Sequence, residues 1–248
     1  MLGNLLAFGV QWTVQILELG LLVYLLYRGL WKRHAGVLVY LFSLLLVDEV
    51  VRRYFFHTYG LGSLKYAYSY WLTDVLLGLE AFGLMCIFFR RACTPQFWRV
   101  LRLSLIAVFI FVAAISYLSL SHHKHNLLHN FIYGFEQNLF FTCLVLNTLL
   151  FVMLQRIEGA DQELGLLVCG MGIQFAGPTA GLALVHLTVG GQSAYSLLHH
   201  IAPLCTLGML LIWMYAVCRF TTLQEPVYRA SSHRGRVPAL AGAGLHGD

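Results

Sequence analysis

Seven apolar stretches, each about long enough to cross a bilayer, follow one another through the chain with short polar breaks between them. A crossing takes roughly 20 apolar residues to match a hydrocarbon core about 30 Å thick. Lipid offers nothing to pair with backbone N–H and C=O groups, so a spanning segment must be a helix or part of a closed barrel. A barrel would show short strands of alternating polarity, and the long unbroken apolar runs here are the opposite pattern. The expected fold is therefore all-α, a polytopic seven-transmembrane-helix bundle. With 59% hydrophobic and 11% charged residues in 248, against about 25% charged in soluble domains, no separate soluble domain is expected.

The expected spans cover about 5–27, 35–57, 67–90, 100–120, 127–155, 163–188 and 194–219. The first lacks a basic start and a small-residue cleavage site, so it reads as a retained helix and not as a secretory signal. Residues 1–220 form the expected membrane domain. Residues 221–248, rich in Gly, Ala, Ser and Arg, read as a disordered basic cytoplasmic tail.

Orientation follows from the basic residues. One side collects Arg28, Lys32, Arg33, Arg90, Arg91, Arg99, Arg102, Arg156, Arg219 and the arginines of the tail. The other carries Arg52, Arg53, Lys65 and Lys124. The expected topology is N-terminus out and C-terminus in, in the cytoplasmic (inner) membrane. The formal charge of +5 then reflects orientation in the lipid bilayer, and no nucleic-acid partner is expected.

Depth is the most informative reading of the polar residues. At about 1.5 Å per residue, Asp48 and Glu49 on the second span lie roughly 12–14 Å below the outer surface, and Arg52 and Arg53 roughly 6–8 Å below it. Asp74 on the third span comes about 10 Å deep, Glu136 on the fifth about 13 Å, and His199 and His200 on the seventh about 8–10 Å. Glu18 and Glu80 fall deeper, near the midplane, where they read as hydrogen-bonding acids that join helices. An ionised group in lipid costs several kcal/mol, so these side chains should face the bundle interior, pair, or protonate. Asp48–Arg52 and Glu49–Arg53 are i,i+4 pairs with the acid first, the favourable order. Neighbouring residues diverge by about 100° on a helix, so one pair should face the core and the other lie at a helix contact or snorkel outward.

These depths define an expected outward-facing polar pocket lined by the second, third, fifth and seventh spans. Asp48 and Glu49 would supply charge, Arg52 an anion contact or counter-ion, and Asp74 and Glu136 further polar contacts. His199 and His200 would be proton-sensitive, since histidine titrates in the physiological range. Taken singly, the same residues read as structural pairs, interfacial histidines or, for His122, His123, Lys124 and His125, a solvated loop. Trp12, Phe135 and Trp213 read as lipid-facing or packing residues. In the sixth span, Gly177 and Gly181 form a small-residue face for close helix contact. The six cysteines show no CxxC spacing and read as packing residues.

A retinal pigment is excluded as an expectation because its Schiff base needs a lysine in the last span, and the lysines here are Lys32, Lys65 and Lys124. No cofactor is expected. In span count and carboxylate placement the chain resembles the seven-helix sensor regions joined to bacterial histidine kinases. It also resembles stand-alone seven-helix bacterial membrane proteins of unknown function, with an acid pair in the second span and a Y-W-x-T-[DE] start to the third, here Tyr70, Trp71, Thr73 and Asp74. The resemblance implies a receptor-like or sensory membrane protein that binds a small ligand or protons. No kinase or cyclase is expected after the last span, so any signal is expected to pass to a cytoplasmic or membrane partner protein.

The alternative is a membrane-embedded enzyme or a haem protein. His57, Asp74, His199 and His200 loosely echo the zinc set of alkaline-ceramidase-type amidohydrolases, but adjacent histidines diverge where one ion needs them four apart. Membrane terpene cyclases use a glutamate of the second span as proton donor, a place Glu49 could fill, yet the acid expected in their last span is missing. Haem would draw on His129, His186, His199 and His200 as axial ligands. Whether the histidines bind metal stays open in the sequence.

Overall fold

The computed structural model describes residues 2–60, 63–120, 127–157, 161–187 and 201–220. Secondary structure among them is entirely helical. In order come α1 (Leu2–Tyr27), a 3₁₀ turn (Leu30–Lys32), α2 (Ala35–Leu45), a π-helical segment (Leu46–Arg52), α3 (Arg53–Tyr59) and α4 (Leu64–Ala92). Then follow α5 (Pro95–Leu120), α6 (Leu127–Arg156) and α7 (Gln162–Leu187), and α8 (Ile201–Phe220). Five stretches are long and apolar enough to cross a membrane: Phe8–Tyr27, Leu64–Ala92, Pro95–Leu118, Gly134–Arg156 and Ile201–Phe220. The chain is a multi-pass helical membrane protein. The helical run 35–59 and α7 stand where the sequence places its second and sixth spans.

The run 35–59 departs from a plain α-helix. Its middle widens to the i→i+5 hydrogen bonds of a π-helix across LVDEVVR, so Asp48, Glu49 and Arg52 all sit on it. Such wide turns are rare and concentrate at functional sites. Gly29 and Gly60, just after α1 and α3, hold positive φ (67° and 73°), which a side chain would disfavour.

α4 is the hub: α2, α3, the π segment, α5, α6 and α7 all pack on it. Leu41, Met85, Leu139, Leu150, Leu167 and Phe175 are buried among these helices. α1 rests on α2 and the 3₁₀ turn, and turns Phe8, Trp12, Ile16, Leu19 and Val23 outward at helical spacing. α5 likewise exposes Val100, Leu103, Ile106 and Ile110. These outward faces are the surfaces lipid would cover. Lipid does not drive helices together as water does, so small residues and hydrogen bonds hold the contacts. A Cβ on Gly170 would stand 2.7 Å from the Trp213 ring, and one on Gly172 would stand 2.7 Å from the Asn147 amide. Gly177, expected on a close-contact face, does meet α8, with Cys205 and Ile201 against it. Trp213, fully buried, donates its Nε1–H to Leu167 O (2.9 Å) and meets the Tyr40 ring edge-on, so one side chain ties α2, α7 and α8.

Candidate functional site

The π segment and α4 build the central feature. Arg52 donates from Nη1 to Asp48 Oδ1 (2.7 Å), one turn back on its own helix. From Nη2 it donates to Asp74 Oδ1 on α4. Its guanidinium lies 4.3 Å from the centre of the Tyr70 ring, one turn before Asp74. A planar fork suits this arrangement, because two carboxylates can be bridged while the flat face stacks on an aromatic ring. The Arg52 side chain is 22% exposed and that of Asp74 19%, and Arg52 Nε is buried without a partner. Glu136 on α6 lies within electrostatic reach of both Asp74 and Arg52. Three residues matched by depth in the sequence, Asp48, Arg52 and Asp74, therefore meet where the π segment packs on α4, and Glu136 on the neighbouring α6 stands within electrostatic reach of Asp74 and Arg52.

Glu49 makes its contacts on a different side from Asp48. It accepts from Arg53 Nη1 (2.8 Å) and from the Gln15 amide of α1. The physical reason is the divergence of neighbouring residues on a helix. Asp48–Arg52 turns toward α4, while Glu49–Arg53 turns toward α1, with the Arg53 side chain 59% exposed. Arg52 is a counter-ion here, since both its terminal nitrogens are held by acids.

His199, His200, and the His122–His125 loop lie outside the described residues, as do the side chains of His129 and His186. Asp74 is taken by a guanidinium, and His57 is exposed, edge-on to Phe56. Among the described residues, no three His, Cys, Asp or Glu side chains are arranged to hold a metal ion.

Deeper in the bundle, Ser43 Oγ donates to Glu80 Oε1 (2.9 Å) and joins α2 to α4, the linking role expected of Glu80. Asn138 donates to Ser116 Oγ (3.0 Å) and joins α6 to α5. Glu18 is buried, and its Oε1 has no partner.

A second ionic centre, outside the sequence expectations, lies at the start of α7. Glu163, in the first turn of α7 and 2% exposed, receives Arg33 Nη2, His34 Nε2 (3.0 Å) and Arg91 Nη2 (3.4 Å). Asp161 caps α7, accepting from the N–H groups of Glu163 and Leu164, and pairs with Arg91 at 2.5 Å. The junction ties the start of α2, the end of α4 and the start of α7. The signal in the sequence is a group of three acids, Glu158, Asp161 and Glu163, closely following Arg156 in the break between two spans. In the sequence, Arg33 and Arg91 report on orientation, and nothing there pairs them with Glu163. Comparison with known proteins finds no family model, no curated protein and no solved structure that matches this chain.

Proposed function

We propose that the chain is a sensory or accessory protein of the cytoplasmic membrane, a seven-span bundle with its N-terminus outside and C-terminus inside. In this reading the Arg52 cluster lies in the outer half and binds protons or a small ligand. The observation that carries it is the sharing of one guanidinium by Asp48 and Asp74, with Glu136 close by. One cation among three acids is a poised arrangement: adding a proton or a cationic group to any carboxylate changes how strongly α4 is held to the π segment. The balance of basic residues supports the orientation.

A helix contact governed by charge can carry a signal when two packings differ by a few kcal/mol. The recipient would be a separate membrane or cytoplasmic partner. The enzyme reading is weaker, because Asp74 and Glu49 are both engaged by arginines.

The test is a pH titration, between about pH 4 and pH 8, of the full chain in lipid nanodiscs. It follows tryptophan fluorescence, with Trp71→Phe assigning the signal of the tryptophan next to Tyr70 in the chain. Wild type is expected to show a sigmoidal change that Asp74→Asn shifts or removes. A flat titration, or one identical in Asp74→Asn, would sink the proton-sensing form of the proposal.

A further inference from the structure

The Arg52 cluster leaves one buried acid unaccounted for. Glu18 lies on α1 at 2% exposure, and its Oε1 makes no hydrogen bond. The charged groups within electrostatic reach are themselves acids, Asp48 and Glu49 of the π segment. Tyr40 of α2, a neutral phenol, stands in the same neighbourhood. The two arginines of that region are committed elsewhere, Arg52 to Asp48 and Asp74, and Arg53 to Glu49. Gln15, one turn before Glu18, donates to Glu49 and so presents this face of α1 to the π segment.

A carboxyl group at this depth has two ways to avoid the cost of a bare charge, an ion pair or a bound proton. With acids opposite it and each nearby guanidinium engaged, the first is closed. We propose that Glu18 is a proton-binding site, and that its bound proton keeps α1 seated on α2 beside the acids of the π segment. Release breaks the carboxyl O–H bond, sends the proton to water and leaves a carboxylate. That would set a third negative charge beside Asp48 and Glu49. α1 is well placed to respond, since it packs on α2 and the 3₁₀ turn and shows much of its surface outward. The inference rests on the sensory reading above and deepens it by naming the proton as ligand and α1 as the element that feels it.

The test is infrared spectroscopy of the full chain in lipid nanodiscs at neutral pH. A protonated carboxyl has a C=O stretch that a carboxylate lacks. Glu18→Gln is expected to lose one carboxyl's worth of that band, whereas Asp74→Asn and Glu80→Gln each leave the Glu18 contribution in place. Glu18→Asp keeps an acid at the position and should shift the band, which preserves the test if Glu18→Gln does not fold. A band unchanged in both Glu18 variants, or absent from wild type, overturns the proposal. A tryptophan titration that persists while the band ignores Glu18 would leave the sensory reading standing and this inference refuted. A flat titration with the band lost in Glu18→Gln would do the reverse.

Discussion

His34 Nε2 stands 3.0 Å from Glu163 Oε1, with side chains 2% and 3% exposed. Arg33 and Arg91 converge on the same carboxylate. Removing one member of a buried ion pair costs about 3–5 kcal/mol, because the partners keep their desolvation cost without its compensation. Here the side chains of Arg33 and Arg91 are 36% and 25% exposed, so water screens part of the loss. Glu163→Gln should therefore destabilise the bundle by about 2 kcal/mol. Asp161→Asn keeps the cap and weakens an exposed pair, so it should cost under about 1 kcal/mol. Denaturant titration in mixed micelles would read both. Equal losses would show that Glu163 is not the centre of the junction.

The α7–α8 contact gives a contrast within one helix. A Cβ at Gly170 would press on the Trp213 ring, whereas one at Gly165 meets nothing within 4 Å. Overpacking costs about 1–3 kcal/mol, while Gly→Ala in open helical surface gains up to about 1 kcal/mol. Thermal melts should thus rank Gly165→Ala at or above wild type and Gly170→Ala clearly below it. The reverse order would mean that Trp213 has room to move and is not the fixed pin between α2, α7 and α8.

Ser43 and Ser116 each bridge two helices, but their partners differ in what they lose. Glu80 Oε2 is already buried without a partner, so Ser43→Ala leaves both carboxyl oxygens unpaired. Interhelical hydrogen bonds in bilayers average about 0.6 kcal/mol, with a maximum near 1.7. Ser43→Ala should sit at the upper end of that range and Ser116→Ala, which releases the neutral Asn138 amide, at the lower. Unfolding of the two variants under identical conditions would decide it, and a larger loss for Ser116→Ala would contradict the assignment.

Much of the helical layout was legible because apolar run length reports directly on membrane crossing. The meeting of Arg52 with Asp74 was legible for a related reason: regular helical rise converts sequence position into depth. The split between Asp48 and Glu49 followed from helical twist. Other features leave no such trace. The π segment in 46–52 reads as ordinary helix, because residue pattern carries no information about which carbonyl an N–H chooses. The Arg33–Glu163 contact joins residues 130 positions apart, and depth matching shows that two groups share a level without saying which helices are neighbours. Gly170 has the same limit: a small residue signals close approach, and the arriving Trp213 side chain depends on the packing of α8.

The bridge from Arg52 to Asp74 offers the most direct trial of the central cluster, because pair and environment can be separated by a double-mutant cycle. Arg52→Gln strands Asp48 and Asp74 beside Glu136 with no cation among them. It should be the most destabilising single change of the set. Asp74→Asn leaves Arg52 its bond to Asp48 and should cost less. In the double variant neither an unpaired guanidinium nor an unpaired Asp74 carboxylate remains, so its loss should fall short of the summed singles by about 1–3 kcal/mol. Arg52→Lys should recover little, since a single ammonium cannot bridge both acids and lie flat on Tyr70. Strict additivity in the cycle, or full recovery with lysine, would mean that the two helices are held by packing alone and that the charge arrangement has no hold on α4.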